Sequence, residues 1–124
     1  MASLTVSVVA VDRNVWSGEA TSLVAATTEG EIGILAGHEP VLAVLKPGAV
    51  RIKPVEGPEI KVVLDGGFFS VDSNQVRVLC GYAFLADDMD TTTARQALED
   101  AKLAGDRDRE AVLTAHLESL TGAR

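Results

Sequence analysis

The residues best suited to chemistry in this sequence are His38 and Glu39, which begin the pattern of a zinc protease. That pattern needs a second histidine one turn further along a helix, so that both imidazoles reach the same metal ion. Pro40 cannot continue a helix, and Leu42 stands where the second histidine would be. The pair therefore does not predict a metal site.

Cys80 and the acidic residues Asp87, Asp88 and Asp90 form the next group of chemically capable side chains. Cys80 has no candidate general base near it in the sequence, so we expect a small buried side chain in a strand. The acidic group lacks the ligand spacing and the glycine of a calcium loop. A polar link followed by a helix cap explains these residues better.

The glycines at positions 30, 33 and 37 do not have the spacing of a dinucleotide-binding fingerprint, and no lysine–hydroxyl pair follows them. They are expected to be turn residues. The sequence also offers no arrangement of serine, histidine and acid. We therefore expect no catalytic residue, no bound metal and no cofactor.

Composition restricts the class of protein. A chain of 124 residues with 47% hydrophobic and 23% charged residues can build one packed domain, with at most a small appendage. A net charge of −7 argues against nucleic acid as a partner, because phosphate binding needs clustered Lys and Arg. One cysteine excludes an internal disulfide and fits a reducing compartment, so a soluble intracellular protein is expected.

The first 86 residues predict a β-sandwich or flattened barrel of eight to ten short strands. Residues 4–11 alternate as a strand does, and residues 15–18 and 20–28 are two further strand candidates. Turn residues separate two hairpins, one formed by residues 50–55 and 59–64 and the other by residues 68–71 and 75–80.

Residues 87–124 predict an antiparallel two-helix hairpin. Asp90 is the expected cap of the first helix, and Gly105 its expected end. The first apolar stripe comprises Ala94, Ala97, Leu98 and Ala101, and the second comprises Val112, Leu113, Leu117 and Leu120. Asp106 or Asp108 can cap the second helix, and Gly122 ends it. Helices this short are marginal in water, so the hairpin must rest on the β domain or on a partner.

Glycines and prolines divide residues 29–50 into short apolar runs, which predicts short strands joined by tight corners. Within this stretch, residues 29–40 remain unexplained by the elements above. They predict a long, turn-rich loop with acidic Glu29 and Glu31, a histidine, and exposed apolar residues at Ile34 and Leu35. One interpretation is a corner of the sandwich, and the other is a docking surface on a rigid scaffold.

Several motifs in this sequence resemble those of one known family. Residues 30–52 (GEIGILAGHEPVLAVLKPGAVRI) strongly resemble the signature of the epsilon subunit of bacterial F-type ATP synthases. WSGEA at residues 16–20, DGGFFSV at 65–71 and QVRVL at 75–79 agree with it in order. The resemblance covers residues 3–104.

This resemblance implies a non-catalytic rotor subunit of the central stalk, which couples rotation of the c-ring to ATP synthesis in the head of alpha and beta subunits. Residues 1–86 would dock on gamma and on the c-ring, with Glu31 and His38 in the ring contact. Residues 87–124 would form a regulatory hairpin that either folds on the sandwich or extends toward the head to restrain ATP hydrolysis. The implied location is peripheral, on the cytoplasmic face of the bacterial membrane.

The alternative implied by the resemblance is a nucleotide-sensing module whose hairpin binds ATP through Asp90. Thr93 stands where the family motif has an arginine, and Arg95 lies roughly 200° around the helix from that position. This departure argues against ATP binding.

From Met89 onward, five Lys and Arg face seven acids, so electrostatic attraction of the hairpin to an acidic partner is weak. Ala36 replaces a usual proline, which loosens the loop slightly.

Overall fold

The protein is described by a computed structural model that covers residues 2–122. Within these residues, nine strands precede two α-helices, and a 3-10 turn at Ala86–Asp88 joins the two parts. The strands are β1 (Leu4–Ala10), β2 (Arg13–Thr27), β3 (Gly30–Leu35), β4 (Val41–Leu45), β5 (Gly48–Pro54), β6 (Ile60–Leu64), β7 (Gly67–Asp72), β8 (Gln75–Cys80) and β9 (Ala83–Leu85). The helices are α1 (Thr91–Ala104) and α2 (Arg107–Thr121).

The strands form one sheet that folds back on itself in the order β1-β8-β7-β4-β2-β5-β6-β9. The first half of β2 pairs with β1, while its second half pairs with β3, β5 and the end of β4. Because β2 thus contacts both ends of the β1-β8-β7-β4 layer, the sheet closes into a flattened β-sandwich. The predicted sandwich followed by a helical hairpin is confirmed.

Alternating side chains of the strands fill the space between the two layers. In β1 every second residue is buried (Leu4, Val6, Val8 and Ala10), as the two-residue period predicts. Phe69 is fully buried and is the largest side chain of this core. The two predicted hairpins are also confirmed, as β5–β6 and β7–β8.

The prediction of two separate strands at residues 15–18 and 20–28 was wrong, because β2 runs without a break through Gly18. Gly18 does not have a positive φ, and a Cβ there would lie 3.1 Å from ring atoms of Trp16. This glycine therefore makes room for an aromatic ring and does not form a turn.

The short strands and corners predicted for residues 29–50 are confirmed, but the prediction of a loop at residues 29–40 was wrong for half of its length. Gly30–Leu35 is strand β3, which pairs with β2 in antiparallel register. Gly30, the first residue of the strand, and Gly37, two residues after its end, have positive φ, whereas Gly33 does not. Ile34, expected to be exposed, is 1% exposed, because alternate residues of β3 enter the core.

Both helices begin and end at the predicted types of residue. The Asp90 carboxylate accepts a hydrogen bond from the Thr93 amide at 2.8 Å, and Asp106 caps α2 through the Arg109 amide at 3.0 Å. The left-handed residues Gly105 and Gly122 end α1 and α2, respectively. No helix among residues 2–122 has the length and apolar content needed to cross a bilayer.

The hairpin packs on the outer face of β6 and β9. Val62 and Leu64 enter the sandwich core, whereas Val63 between them faces the helices. On β9, Phe84 faces the helices in the same way. This small second cluster has five buried members, which are Val63, Phe84, Ala101, Val112 and Leu113.

The predicted apolar stripe of α2 is only half right. Val112 and Leu113 are buried, but Leu117 is half-buried and Leu120 is 44% exposed. His116 is buried instead, because the face of α2 that meets the sandwich runs through positions 109, 112, 113 and 116.

A substitution at Gly67 tests how closely β7 approaches β8. A Cβ at this position would lie only 2.0 Å from the Leu79 carbonyl oxygen, and the residue has a φ of +134°. Gly67→Ala is therefore expected to lower the free energy of unfolding by about 3 kcal/mol or more, measured by urea denaturation. Gly33→Ala is the control, because nothing lies within 4 Å of its Cβ position. Equal stabilities of the two variants would contradict this account.

Candidate functional site

An exposed row of apolar side chains crosses the outer face of three neighbouring strands. Val44 of β4 is paired with Phe68 of β7, and Phe68 is paired with Leu79 of β8. Their exposed fractions are 47%, 57% and 53%. We call these three residues the apolar row. Isolated apolar residues on a surface are ordinary, whereas a contiguous set is a candidate for a docking site.

The apolar row continues into a groove at one end. Leu42, two residues before Val44 on the same face of β4, is 75% exposed. It lines a groove of about 380 Å³ together with Val44, Phe68 and Ile32. Ser70 and Arg77 occupy the next register positions of β7 and β8, beside the apolar row. An apolar centre with a polar margin is the usual anatomy of a protein interface.

Glu31 and His38 lie at opposite ends of β3, so they do not share one loop. Glu31 follows the β2–β3 turn, and its carboxylate lies 3.5 Å from the Arg51 guanidinium. His38 follows the strand, and its Nδ1 lies 2.7 Å from the Glu39 carbonyl oxygen. About 13 Å separates Glu31 from Leu35 along the strand, because each residue rises about 3.3 Å. Glu31 and Leu35 nevertheless share the exposed face of β3.

The turn that carries His38 is tied to the neighbouring β7–β8 turn. The Gly37 amide donates to Oδ1 of Asn74 at 2.7 Å, and the Asn74 carbonyl accepts from the Thr5 amide at 2.8 Å. Asn74 has a φ of +64°, within the left-handed region that asparagine tolerates. One asparagine therefore connects three segments at this end of the sandwich.

Asp90 is occupied as a helix cap. The Thr93 backbone amide, and after it the Thr93 side chain, lowers the pKa of the exposed Asp90 carboxyl. The side chain at position 93 thus interacts with Asp90 itself and provides no positive charge for a phosphate.

Cys80 is buried, as predicted, and its thiol lies 3.6 Å from the Val9 carbonyl oxygen. Burial, and then the negative charges of Asp65 and Asp12, raises the pKa of the Cys80 thiol to about 11. A thiol held protonated in this way is a poor nucleophile. Among residues 2–122, no three His, Cys, Asp or Glu side chains are grouped so that they could hold a metal ion.

The sequence analysis did not identify the apolar row. A signal was present in Phe68-Phe69, because adjacent residues of one strand face opposite sides of a sheet. One of the two rings must therefore face outward. Which other strands lie beside Phe68 depends on the sheet order, and sequence periodicity does not contain this information.

Three comparisons relate the chain to known proteins. A family model described as the beta-sandwich domain of the ATP synthase delta/epsilon chain matches residues 3–86. The chain is 42% identical over 121 residues to an ATP synthase epsilon chain of Streptomyces coelicolor, covering 98% of both chains. It is 44% identical over 124 residues to one of Rhodococcus erythropolis, covering 99% of this chain and 100% of the other.

Two solved structures share the fold. A chain in a structure of the Euglena gracilis mitochondrial ATP synthase, comprising OSCP, F1 and c-ring, aligns with a TM-score of 0.68 and 26% identity. The alignment covers 94% of this chain and 74% of that chain. A chain of the Tetrahymena thermophila central stalk and c-ring aligns with a TM-score of 0.60 and 16% identity, over 92% and 96% of the two chains.

Asn74 provides a test of the connected turns. Asn74→Gly keeps the left-handed backbone accessible but removes the acceptor of the Gly37 amide. We expect the Gly37 amide to exchange its hydrogen about fivefold faster, since one hydrogen bond contributes about 1 kcal/mol. Asn74→Asp keeps an acceptor oxygen and is the matched control. Nuclear magnetic resonance measures both, and identical exchange in the two variants would contradict the role of the side chain.

Proposed function

Because the chain belongs to the ATP synthase delta/epsilon chain family, we propose that it is the epsilon subunit of a bacterial F-type ATP synthase and works in its central stalk. It is a non-catalytic subunit: it couples rotation of the c-ring to ATP synthesis in the alpha/beta head. Its partners are gamma, the c-ring, and the alpha and beta subunits of the complex.

The observation that carries this proposal is the apolar row. It lies on a layer of strands that the core on their other side holds in place. A subunit that transmits torque needs an interface that does not yield under load. Val44, Phe68 and Leu79 stand on three hydrogen-bonded strands whose opposite faces are buried. We propose that gamma covers this row, because a stable subunit interface has an apolar centre.

The exposed face of β3 is the surface that we propose for the c-ring. Glu31 and Leu35 on the exposed face of β3, and His38 in the turn after it, offer an acid, an apolar side chain and an imidazole. Leu35 is 65% exposed, and the turn beside it is held by Asn74. The ring contact would thus follow β3 and the turn after it, instead of one long loop.

The division into a docking domain of residues 1–86 and a regulatory hairpin of residues 87–124 is also proposed. The hairpin would restrain ATP hydrolysis when it has left the sandwich and extends toward the head. The nucleotide-sensing alternative is not favoured, because Asp90 serves as a helix cap and Thr93 offers no cation. The subunit is a peripheral part of a membrane complex, and we propose the cytoplasmic face as its location.

Phe68→Ala tests the gamma contact. Truncating a central aromatic side chain of an interface typically costs at least about 2 kcal/mol, so we expect the Kd for purified gamma to rise about 30-fold. Isothermal titration calorimetry measures this change. Phe68 faces outward, and circular dichroism is expected to match that of the parent chain.

Leu103→Ala is the matched control for the gamma contact. Leu103 is 86% exposed on α1, far in sequence from the apolar row. Its substitution is expected to leave the Kd unchanged. If both variants bind gamma as tightly as the parent chain, the apolar row is not the gamma interface.

Cross-linking tests the proposed ring contact. The native Cys80 is buried with a raised pKa, so a cysteine introduced at Glu31 or His38 becomes the reactive thiol. In membranes that carry the assembled complex, Glu31→Cys and His38→Cys are expected to form cross-links with the c-subunit. Leu103→Cys is the control that should not. A ring cross-link from position 103 alone would place the contact elsewhere.

A further inference from the structure

Besides its apolar contacts, α2 is held by polar side-chain contacts at two of its positions, one to the link that precedes α1 and one to the β domain. His116 Nε2 lies 2.8 Å from the Met89 carbonyl oxygen, and the Arg109 guanidinium carbon lies 4.0 Å from the centroid of the Tyr82 ring. Positions 109 and 116 are two helical turns apart, about 10 Å along the axis. They flank Val112 and Leu113, which are the buried apolar residues of α2.

His116 is held from two directions. It is 5% exposed, and its ring meets the Phe84 ring edge-on, with the centroids 5.0 Å apart. A carbonyl oxygen can only accept, so Nε2 must carry the hydrogen and donate it to Met89. The other ring nitrogen, Nδ1, is buried and has no hydrogen-bond partner. The docked position therefore requires one particular tautomer of this histidine.

Arg109 forms the second contact at the start of α2. Its guanidinium lies over the Tyr82 ring, and its Nε lies 3.6 Å from the carboxylate of the cap residue Asp106. A cation above an aromatic face contributes about 0.5–2 kcal/mol, depending on its exposure. The Tyr82 backbone amide is itself bound by Asp65 at 3.0 Å, so Arg109 rests on an anchored residue.

We propose that His116 and Arg109 together define the docked position of the hairpin and make it a discrete state. Only two apolar side chains of α2 are buried, and apolar contacts alone would tolerate a shift or a rotation of the helix. A hydrogen bond to one carbonyl and a cation over one ring do not tolerate it. Release of α2 then requires both contacts to break together. The consequence for ATP hydrolysis rests on the proposed function, whereas the docking itself does not.

The test is hydrogen exchange of the full-length chain without partners. His116→Phe keeps an aromatic ring against Phe84 but leaves the Met89 carbonyl without its donor. We expect the amides of α2 to exchange roughly tenfold faster, with the sandwich amides unchanged. His116→Gln, which keeps a donor, is expected to restore part of the protection. Glu118→Gln on the exposed face of α2 is the control and is expected to change nothing.

Two further measurements separate this proposal from a general effect on stability. Long-range proton–nitrogen spectra read the tautomer of His116, and hydrogen on Nδ1 instead of Nε2 would overturn the proposal. If one opening breaks both contacts, the lost free energies add, so His116→Phe and Arg109→Met should each accelerate exchange along the whole of α2 and together by about the product of the single effects. Acceleration confined to the turn that carries each substitution would overturn the proposal. Uniform acceleration over sandwich and helices, or none in α2, would also overturn it.

ATP hydrolysis by the assembled complex tests separately whether docking of the hairpin affects function. If the proposed regulation holds, His116→Phe changes the rate of ATP hydrolysis, and the Glu118→Gln control does not. Faster exchange in α2 with unchanged hydrolysis would leave the two-contact docking intact and contradict the regulatory role of the hairpin. Faster hydrolysis without faster exchange would contradict the docking proposal.

Discussion

Adjacent residues of a strand face opposite sides of a sheet, and in this chain the strands are apolar on both sides at selected places. Val62 and Leu64 enter the core while Val63 faces the hairpin, and Phe69 enters the core while Phe68 faces outward. Burial of the inner set fixes the position of the outer set. The surface under the hairpin and the apolar row are therefore both the reverse side of the core. A shift of one residue in register would exchange these roles, and burial of the inner set opposes such a shift.

The sequence predicted the elements whose signals are local. The caps Asp90 and Asp106, the left-handed ends Gly105 and Gly122, and the hairpin turns depend on neighbouring residues, and the structure has them where they were expected. The errors concern features that depend on contacts between residues distant in the sequence. The glycines around β3 suggested a loop, but pairing with β2 outweighs their turn preference. The apolar row joins residues that are 24 and 11 positions apart, so only the order of the strands brings them together.

The two parts of the chain differ in how strongly they are held. Among residues 2–122 the sandwich core contains nineteen buried residues, whereas the cluster under the hairpin contains five. Two of these five, Ala101 and Val112 on the helices, are small side chains that bury little apolar area. Local opening follows buried apolar area, so the hairpin opens at a lower free energy than the sandwich. The same chain thus combines a part with an extensive core and a part held by a small one.

This difference explains why the two surfaces use different chemistry. On the outer face of β4, β7 and β8, the sheet itself fixes the geometry, so non-directional apolar contacts are sufficient for a stable interface. The hairpin has no such scaffold, since α1 and α2 mainly contact each other and one small patch formed by Val63 of β6 and Phe84 of β9. Its position must come from directional contacts, and His116 and Arg109 supply them at either side of Val112 and Leu113. A position that depends on a few directional contacts is lost at once when they break, whereas a broad apolar contact keeps most of its buried area when one side chain moves. That property suits an element with two positions, and it would be a defect in the part of a rotor that bears torque.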